Sequence, residues 1–314
     1  MMLIEENCNT AHIAVCVCTR ERPHMLDRIM RSYADLLFPK DVKVTLVIIE
    51  NDLKANCRDQ VMQLAKDLEL SVSYYCETRL GIPFARNRAL DAAQSINASH
   101  IAFADDDEWF QPEWLLAFWR CREVFGKEVI LQGPVISVLP PGVPEYYSEF
   151  YYTGSYTTGT ILSKCATNNV LIPLEAVSRH QLRFDESRPF SGGEDTVFFN
   201  KANDLGIVMR ACEEAYIYEE VMIARTRMSW LIRRNFRIGA TWGNYQTEEM
   251  KRNSFIASGS QVPKLIIRFT YSALFLIALN KKNMKKWFLK FVRTSGRIIG
   301  CFGFQLEVYR EVDS

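Results

Sequence analysis

The chain has 314 residues, enough for one large domain or two, and a formal net charge of +1. Apolar residues make up 48% of it and charged residues 24%, which excludes a disordered or fibrous protein. The nine cysteines lack the spacing of a disulfide framework, the four histidines are scattered, and no signal peptide is evident at the start. We therefore expect reduced thiols, no zinc site and a cytoplasmic protein.

The first hundred residues alternate short apolar runs with helical stretches. Strands are predicted at His12–Thr19, Lys43–Ile49, Ser71–Cys76 and His100–Ala104, with helices between them at about Met25–Leu37, Asn56–Leu68 and Pro83–Ile96. Uninterrupted apolar strands are buried on both faces, and strands that alternate with helices pair in parallel. The sequence therefore predicts an α/β fold with a doubly wound, mostly parallel sheet.

Polar residues follow three of these strands at their carboxyl ends, where ligands bind in such sheets. They are Thr19, Arg20 and Arg22, then Glu50, Asn51 and Asp52, then Asp105, Asp106, Asp107 and Glu108. Successive acids after a buried strand repel one another and lose solvation, and a divalent cation offsets that cost. An acidic N-cap for the helix near Pro112 is the alternative, although one acid would serve for it. The acidic run favours a metal site.

Two further motifs place charged residues at the start of a helix. The GGED segment at 192–195 precedes a predicted helix at about Thr196–Leu205; its glycines allow close approach to a ligand, and a carboxylate there can act as a general base. A plain N-cap explains this segment equally well. Arg86 and Asn87 fall in the first turn of the helix that Pro83 opens, which suits a phosphate, but Arg86 can equally be a surface residue.

Several segments follow one another along residues 12–240: TRERP, VIIEND, GIPFARNRAL, FADDDEW with PEWL, NNVLIP, GGED and RTRMSWLIRRNFRIG. In this order and spacing they resemble glycosyltransferase family 2, of the GT-A fold. The resemblance implies an inverting transferase of the bacterial polysaccharide type, which moves a sugar from a nucleotide-diphosphate donor, such as a UDP-sugar, to a hydroxyl of a saccharide acceptor. It also implies Mg²⁺ or Mn²⁺ as the cofactor.

The resemblance gives roles to the residues at matching positions. Asp195 is the expected catalytic base, with Glu194 beside it. Asp107 is the expected metal ligand, and Asp105 is a second candidate because the triple acid leaves the register open. The expected donor-binding residues are Thr19, Arg20, Glu50, Asn51, Arg86, Asp105, Asp106, Trp230, Arg233 and Arg234. Asn168 and Asn169 fall on the acceptor side. Because Glu50 and Asn51 replace two aspartates of the family, the nucleotide base stays open.

The end of the chain differs in charge from the rest. Residues 222–314 hold 17 basic and 5 acidic residues (+12), which leaves 21 basic and 32 acidic residues (−11) in 1–221. Leu265–Leu279 is shorter than the ~20 residues of a membrane-spanning helix, and Met284–Ile299 has an apolar stripe beside basic residues, which is typical of a helix on an anionic membrane. A helical pair packed on the core is the alternative.

We therefore expect two domains. Residues 1–221 form the catalytic domain, and residues 222–314 form a basic helical extension that associates with the inner face of the cell membrane, where a lipid-linked saccharide acceptor would be presented. Nucleic-acid binding is not expected, because no recognised module accompanies the basic region.

Other functions stay open on the sequence alone. A nucleotidyltransferase would use a similar sheet but needs a glycine-rich loop after the first strand, where CTRERP has no glycine. A catalytically silent protein, which binds sugar nucleotides or acts as a membrane scaffold, would not need both the acidic run and Asp195. A phosphatase is disfavoured because Glu108-Trp109 stands where small residues are expected.

Overall fold

The computed structural model of the chain describes residues 11–151, 156–187, 189–304 and 306. They belong to two compact units. The first draws on Met1–Ile136, Thr153–Glu186 and Phe198–Glu219, and the second on Ser137–Tyr152, Ser187–Val197 and Glu220–Ser314. The sequence placed a single boundary after residue 221. The structure has a boundary near that point, but the second unit also takes two earlier segments, one of which contains Asp195.

The strands form a seven-stranded and a three-stranded sheet. They are β1 (Ala11–Thr19), β2 (Val42–Glu50), β3 (Val72–Cys76), β4 (His100–Asp105), β5 (Glu108–Phe110), β6 (Ile130–Gln132), β7 (Val135–Val138), β8 (Val170–Pro173), β9 (Met209–Ala211) and β10 (Ile217–Glu220). The larger sheet has the order β3-β2-β1-β4-β8-β6-β9, and the smaller one β5-β10-β7. Only β8 runs antiparallel to its neighbours in the larger sheet. The predicted α/β class with a mostly parallel sheet is confirmed.

The helices are α1 (Pro23–Ala34), α2 (Arg58–Asp67), α3 (Ile82–Ser95), α4 (Trp114–Phe125), α5 (Leu174–Arg179), α6 (Glu194–Asp204), α7 (Met228–Glu248), α8 (Ser254–Gly259), α9 (Val262–Ile277) and α10 (Lys281–Gly300). Side chains of β1 alternate between two buried clusters. Ile13 and Val15 pack in one cluster with α1 and α4, and Ala14 and Cys16 pack in the other with α3. Both faces of the sheet are therefore covered, which explains the uninterrupted apolar runs of its strands.

In the second unit, α7 and α10 pack backbone against backbone. Gly239 and Gly243 of α7 face Gly296 and Gly300 of α10: a Cβ at Gly239 would lie 2.0 Å from a backbone oxygen of α10, and one at Gly296 would lie 2.2 Å from a backbone oxygen of α7. The glycine face of α10, expected from sequence to be a membrane-surface helix, is thus occupied by α7. Within the described ranges, no helix combines the length and the apolar character that crossing a membrane requires.

Candidate active site

Three strands of the first unit end side by side. In the parallel ladder, Thr19 of β1 is opposite Glu50 of β2, and Cys18 of β1 is opposite Asp105 of β4. The chain therefore leaves these strands at one edge of the sheet. This register brings the polar residues that follow β1, β2 and β4 together, as their positions in the sequence predicted.

Asp106 is a buried carboxylate held by two donors. The Thr19 hydroxyl donates to Oδ2 at 2.8 Å, and Nη1 of Arg22 donates to Oδ1 at 2.9 Å. The pKa of Asp106 is raised to about 6, mainly by burial; the Arg22 guanidinium opposes the increase, and the charge of Asp107 adds to it. Thr19 thus positions Asp106 at the end of the strand. Arg22, which the sequence placed at this edge without a role, is its charge partner.

Asp105 is the accessible acid of the run. Its side chain is 43% exposed, and Oδ1 lies 3.4 Å from Nη2 of Arg86, whose side chain is only 10% exposed. The backbone N–H of Asp105 donates to Oε2 of Glu108 at 2.6 Å. Burial raises the pKa of Glu108 well above its ordinary range, and Asp105 and Asp107 add to the effect. Glu108 therefore closes the turn, while Asp105 and Arg86 present opposite charges beside it.

Arg28 of α1 is a site residue that the sequence reasoning missed. Its Nη2 donates to the backbone oxygen of Asp107 at 2.9 Å, and its guanidinium carbon lies 4.6 Å from the centre of the Trp109 ring. The helical pattern gave no signal for this role, because Arg28 lies outside the buried stripe of α1 that contains Leu26 and Ile29.

The acidic run fits a cation that shares its coordination with a phosphate. Asp105 and Asp107 offer hard carboxylate oxygens, and Mg²⁺ is commonly bound by one or two carboxylates together with substrate phosphates. In the described part of the chain, the only three His, Cys, Asp or Glu side chains with ligand atoms within 4.8 Å of one another are Cys121, Cys212 and Glu214. The aspartates therefore form no closed protein cage, which suits a cation bound with its substrate.

Glu50 and Asn51 are both engaged inside the protein. Glu50 has no exposed surface; its carboxylate accepts from the backbone N–H of Cys57 at 3.1 Å and from the Tyr74 hydroxyl. Oδ1 of Asn51 accepts from the backbone N–H of Gly81 at 2.8 Å, and its amide donates to two carbonyls between β3 and α3. These side chains shape the edge of the site. Direct reading of the nucleotide by them stays a prediction and would require these bonds to be exchanged.

Asp195 lies at the start of α6, in the second unit. Gly193 precedes it with a φ of +91°, and a Cβ there would lie 2.1 Å from Cγ2 of Thr241, so glycine is needed for both backbone and space. Oδ1 of Asp195 accepts from the backbone N–H of Thr196 at 2.6 Å, and the residue is half-buried, whereas the adjacent Glu194 is buried. Of the two carboxylates, Asp195 is the one more open to a ligand.

Trp230 and Arg234 form part of an aromatic and cationic cluster in the second unit. The guanidinium of Arg234 lies 5.3 Å from the Trp230 ring and 5.4 Å from the Tyr151 ring, and Arg225 lies 5.8 Å from the Trp230 ring. The Tyr151 hydroxyl donates to the backbone oxygen of Arg225 at 2.7 Å. Arg233, on the same helix, is exposed. Their contacts with a donor stay predictions.

Asn169 is a core residue, and its expected place on the acceptor side stays a prediction. It has no exposed surface. Its Oδ1 accepts from Nε1 of Trp114 at 2.8 Å, and its Nδ2 donates to the backbone oxygens of Ala215 at 2.7 Å and Pro134 at 2.9 Å. The side chain is fully used in tying β8 to the segments around it. Asn168 is half-buried, and its role stays a prediction.

Comparison with known proteins agrees with this architecture. Residues 14–162 match the family described as Glycosyl transferase family 2. The succinoglycan biosynthesis protein ExoM of Rhizobium meliloti (strain 1021) is 30% identical over 242 residues, 76% of this chain and 77% of that protein.

Solved structures show the same fold. The mannosyltransferase PcManGT from Pyrobaculum calidifontis, in complex with GDP-Man and Mn²⁺, matches with a TM-score of 0.61 at 15% identity, over 92% of this chain and 86% of that one. S. aureus TarS 1-349 in complex with UDP matches with a TM-score of 0.53 at 15% identity, over 96% and 94% of the two chains. The fold is the GT-A fold, as the sequence motifs predicted. On the family match and the ExoM relative, this chain belongs to glycosyltransferase family 2 and is a glycosyltransferase.

Proposed function

We propose that this protein is an inverting, metal-dependent glycosyltransferase of polysaccharide biosynthesis, which moves a sugar from a UDP-sugar or similar donor to a hydroxyl of a saccharide acceptor. The observation that carries the proposal is the cluster at the strand ends, where three aspartates at 105–107 lie beside Arg22, Arg28 and Arg86. Carboxylates that share a cation, next to guanidinium groups, are suited to a diphosphate. The ExoM relative, named for succinoglycan biosynthesis, supports the polysaccharide role.

The donor side of the reaction depends on residues of the first unit. Asp105 and Asp107 would hold Mg²⁺ or Mn²⁺, which when bound neutralises charge on the leaving diphosphate. Arg86 adds a fixed positive charge beside Asp105. Thr19 and Arg22 keep the Asp106 carboxylate in place near the expected ribose position. Further proposed donor contacts are Arg20, Glu50, Asn51, Trp230, Arg233 and Arg234.

Asp195 serves as the general base in this proposal. It takes the proton from the acceptor hydroxyl as that oxygen attacks the anomeric carbon, on the face opposite the departing diphosphate. A single displacement of this kind inverts the configuration at the anomeric carbon, and it requires no covalent intermediate with the protein. The greater exposure of Asp195 compared with Glu194 supports its selection as the base.

The proposed acceptor is a lipid-linked saccharide at the inner face of the cell membrane, with the protein attached peripherally through its C-terminal region. The support is the charge of +12 on residues 222–314, which favours an anionic surface. An acceptor anchored in the membrane would then be held near the enzyme, so that transfer does not depend on diffusion of both partners through solution.

The donor proposal is tested by thermal unfolding with UDP, GDP, dTDP, CDP and ADP, each with and without Mn²⁺. A ligand at 100 times its dissociation constant stabilises the folded state by about 2.7 kcal/mol. We expect one nucleotide to stabilise only when the metal is present, and Asp107→Asn to abolish that effect. Asp27→Asn is the matched control, because Asp27 is an exposed acid that pairs with Arg31 within α1. Stabilisation by no nucleotide, or full stabilisation of the Asp107 variant, would refute the proposal.

The base is tested separately by transfer kinetics. We expect Asp195→Asn to lower kcat by at least about 100-fold while the nucleotide still stabilises the variant, and Glu194→Gln to retain most activity if it folds. Proton NMR of the product gives the anomeric configuration and hence tests inversion. Full activity in the Asp195 variant together with loss in the Glu194 variant would transfer the role to Glu194.

A further inference from the structure

The helix α9 turns Arg268 and Ser272 toward protein. Arg268 donates from Nη1 to the backbone oxygen of Lys290 at 3.2 Å and to the Thr294 hydroxyl, both on α10. Ser272, one turn further along, is the only buried residue of the helix. The two rings Tyr271 and Trp287 stack at 4.6 Å along the edge of the same contact. A helix packed on a protein in water normally turns its apolar side inward, so α9 is inverted.

The opposite side of α9 is open and mostly apolar; Thr270 lies within it, and its hydroxyl donates to the backbone oxygen of Ile266 at 3.0 Å. Ile266 is 60% exposed, Ile267 51%, Leu274 54% and Ile277 79%. At 100° per residue these four positions lie within an arc of about 100°. The only two charged residues of the helix, Lys264 and Arg268, lie on the other side of it.

Further apolar side chains outside this arc are also exposed. Leu276 is 60% exposed, Leu279 85%, and Phe255 and Ile256 of α8 are 76% and 73% exposed. Single exposed apolar side chains are ordinary, but four within one arc of a single helix mark a surface that another phase or molecule covers.

The charge around α9 indicates which partner covers its apolar side. Exposed basic residues flank α9 on both sides, with Lys251 and Arg252 before it and Lys281 after it. A second copy of this chain would bring two regions of +12 together, which like charges oppose. An anionic lipid surface takes both the apolar side and the flanking cations. At about 1.5 Å per residue, the 16 residues of α9 span roughly 24 Å, a length suited to lying along a bilayer surface.

We infer that α9 lies flat in the surface of an anionic bilayer, with Ile266, Ile267, Leu274 and Ile277 among the acyl chains. The inference rests on the proposed function for the membrane as partner, and it moves the contact from α10, where the sequence placed it, to α9. The contact between Arg268 and α10 holds α9 in the orientation that turns its apolar side outward.

The test is flotation of the full-length protein with extruded vesicles of phosphatidylcholine, with or without 30% phosphatidylglycerol. We expect binding to the anionic vesicles that weakens with salt. Ile266→Asp with Ile277→Asp should lower the partition coefficient about 100-fold, or about tenfold for each side chain that can no longer be buried. Val124→Asp is the control, because Val124 of α4 is 74% exposed and lies in the first unit; its binding should change less than about twofold.

Three results would overturn the inference. The first is that wild-type protein does not bind anionic vesicles, and the second is that the double variant binds them as well as wild type. The third is a wild-type dimer in sedimentation that the double substitution disrupts, because a second copy would then cover α9. Leu274→Trp gives an independent check that does not depend on a charged substitution. Its emission should shift to the blue with vesicles and be quenched by brominated lipid.

The same variants separate this inference from the proposed function. We expect the nucleotide and Mn²⁺ to stabilise the double variant as they stabilise wild type, because its substitutions lie outside the proposed donor site. Normal nucleotide binding without vesicle binding in the wild type would refute only the membrane contact. Vesicle binding without any nucleotide effect would refute the donor proposal and leave the contact of α9 in place.

Discussion

Replacing Asn169 by alanine should destabilise the first unit strongly. The substitution removes three hydrogen bonds, to Trp114, Ala215 and Pro134. The Pro134 oxygen keeps a second donor, the backbone N–H of Ile217 at 3.2 Å. Two buried groups are then left without the amide, the Trp114 indole N–H and the Ala215 oxygen. At about 1–3 kcal/mol for each, the loss is about 2–6 kcal/mol, a large part of the 5–15 kcal/mol that typically stabilises a protein.

Urea unfolding, followed by tryptophan fluorescence and circular dichroism, measures this loss. Asn168→Ala is the matched control and should cost less than about 1 kcal/mol, because Asn168 is only half-buried. Asn169→Asp retains the acceptor for Trp114 but turns a carboxylate toward the Ala215 oxygen, so at pH 8 it should cost at least as much as alanine. A loss below about 1 kcal/mol for Asn169→Ala, with an unchanged urea dependence, would refute the reasoning.

Two further stability predictions follow from buried positions. Burial, with Arg122 nearby, lowers the pKa of His100 to about 4, so the folded protein keeps the ring neutral while the unfolded chain binds a proton below 6.5. Between pH 7.5 and pH 5, the free energy of unfolding should therefore fall by about 2 kcal/mol more in wild type than in His100→Gln. Equal decreases in urea unfolding would contradict this. Gly296→Ala places a Cβ 2.2 Å from the backbone oxygen of Phe236 and should lower the free energy of unfolding by at least about 2 kcal/mol. A Cβ at Gly259 meets no atom within 4 Å, so Gly259→Ala should change the free energy of unfolding by less than about 1 kcal/mol. Calorimetry that found equal effects for the two glycines would refute the close packing of α7 and α10.

The first four strands of the larger sheet could be predicted to within a residue or two. The predicted range His12–Thr19 became Ala11–Thr19, and Lys43–Ile49 became Val42–Glu50. Strands buried on both faces read as unbroken apolar runs, and this signal is local. The edge where the polar residues meet follows from the same parallel topology, because the carboxyl ends of such strands lie together.

The different burial and contacts of the four acids at 105–108 could not be predicted from the sequence. Four successive acids look alike in the chain, but the structure buries Asp106 against Thr19 and Glu108 against the turn, and leaves Asp105 accessible. That distinction depends on side chains far away in sequence. The same is true of Asn169, whose partners come from three separate segments, so its polarity alone could not separate a core residue from a surface one.

The division into two units also could not be predicted fully from the change of composition along the chain. The change of charge after residue 221 marks where the helical region begins, but the segments 137–152 and 187–197 join the second unit through contacts that no local pattern records. The inverted polarity of α9 was hidden for a related reason. Apolar residues dominate its sequence, and only the position of α10 shows which side of the helix remains open.

The contact between Gly193 and Thr241 has a consequence for engineering. It fixes the loop that carries Asp195 against α7, so the loop and the C-terminal helices must be exchanged together. A truncation after residue 221 would remove the support of that loop as well as α9, and a chimaera that exchanged only the C-terminal region with a relative would join a loop to a helix that did not evolve with it. Successful chimaeras should exchange residues 137–152, 187–197 and 220–314 as one block.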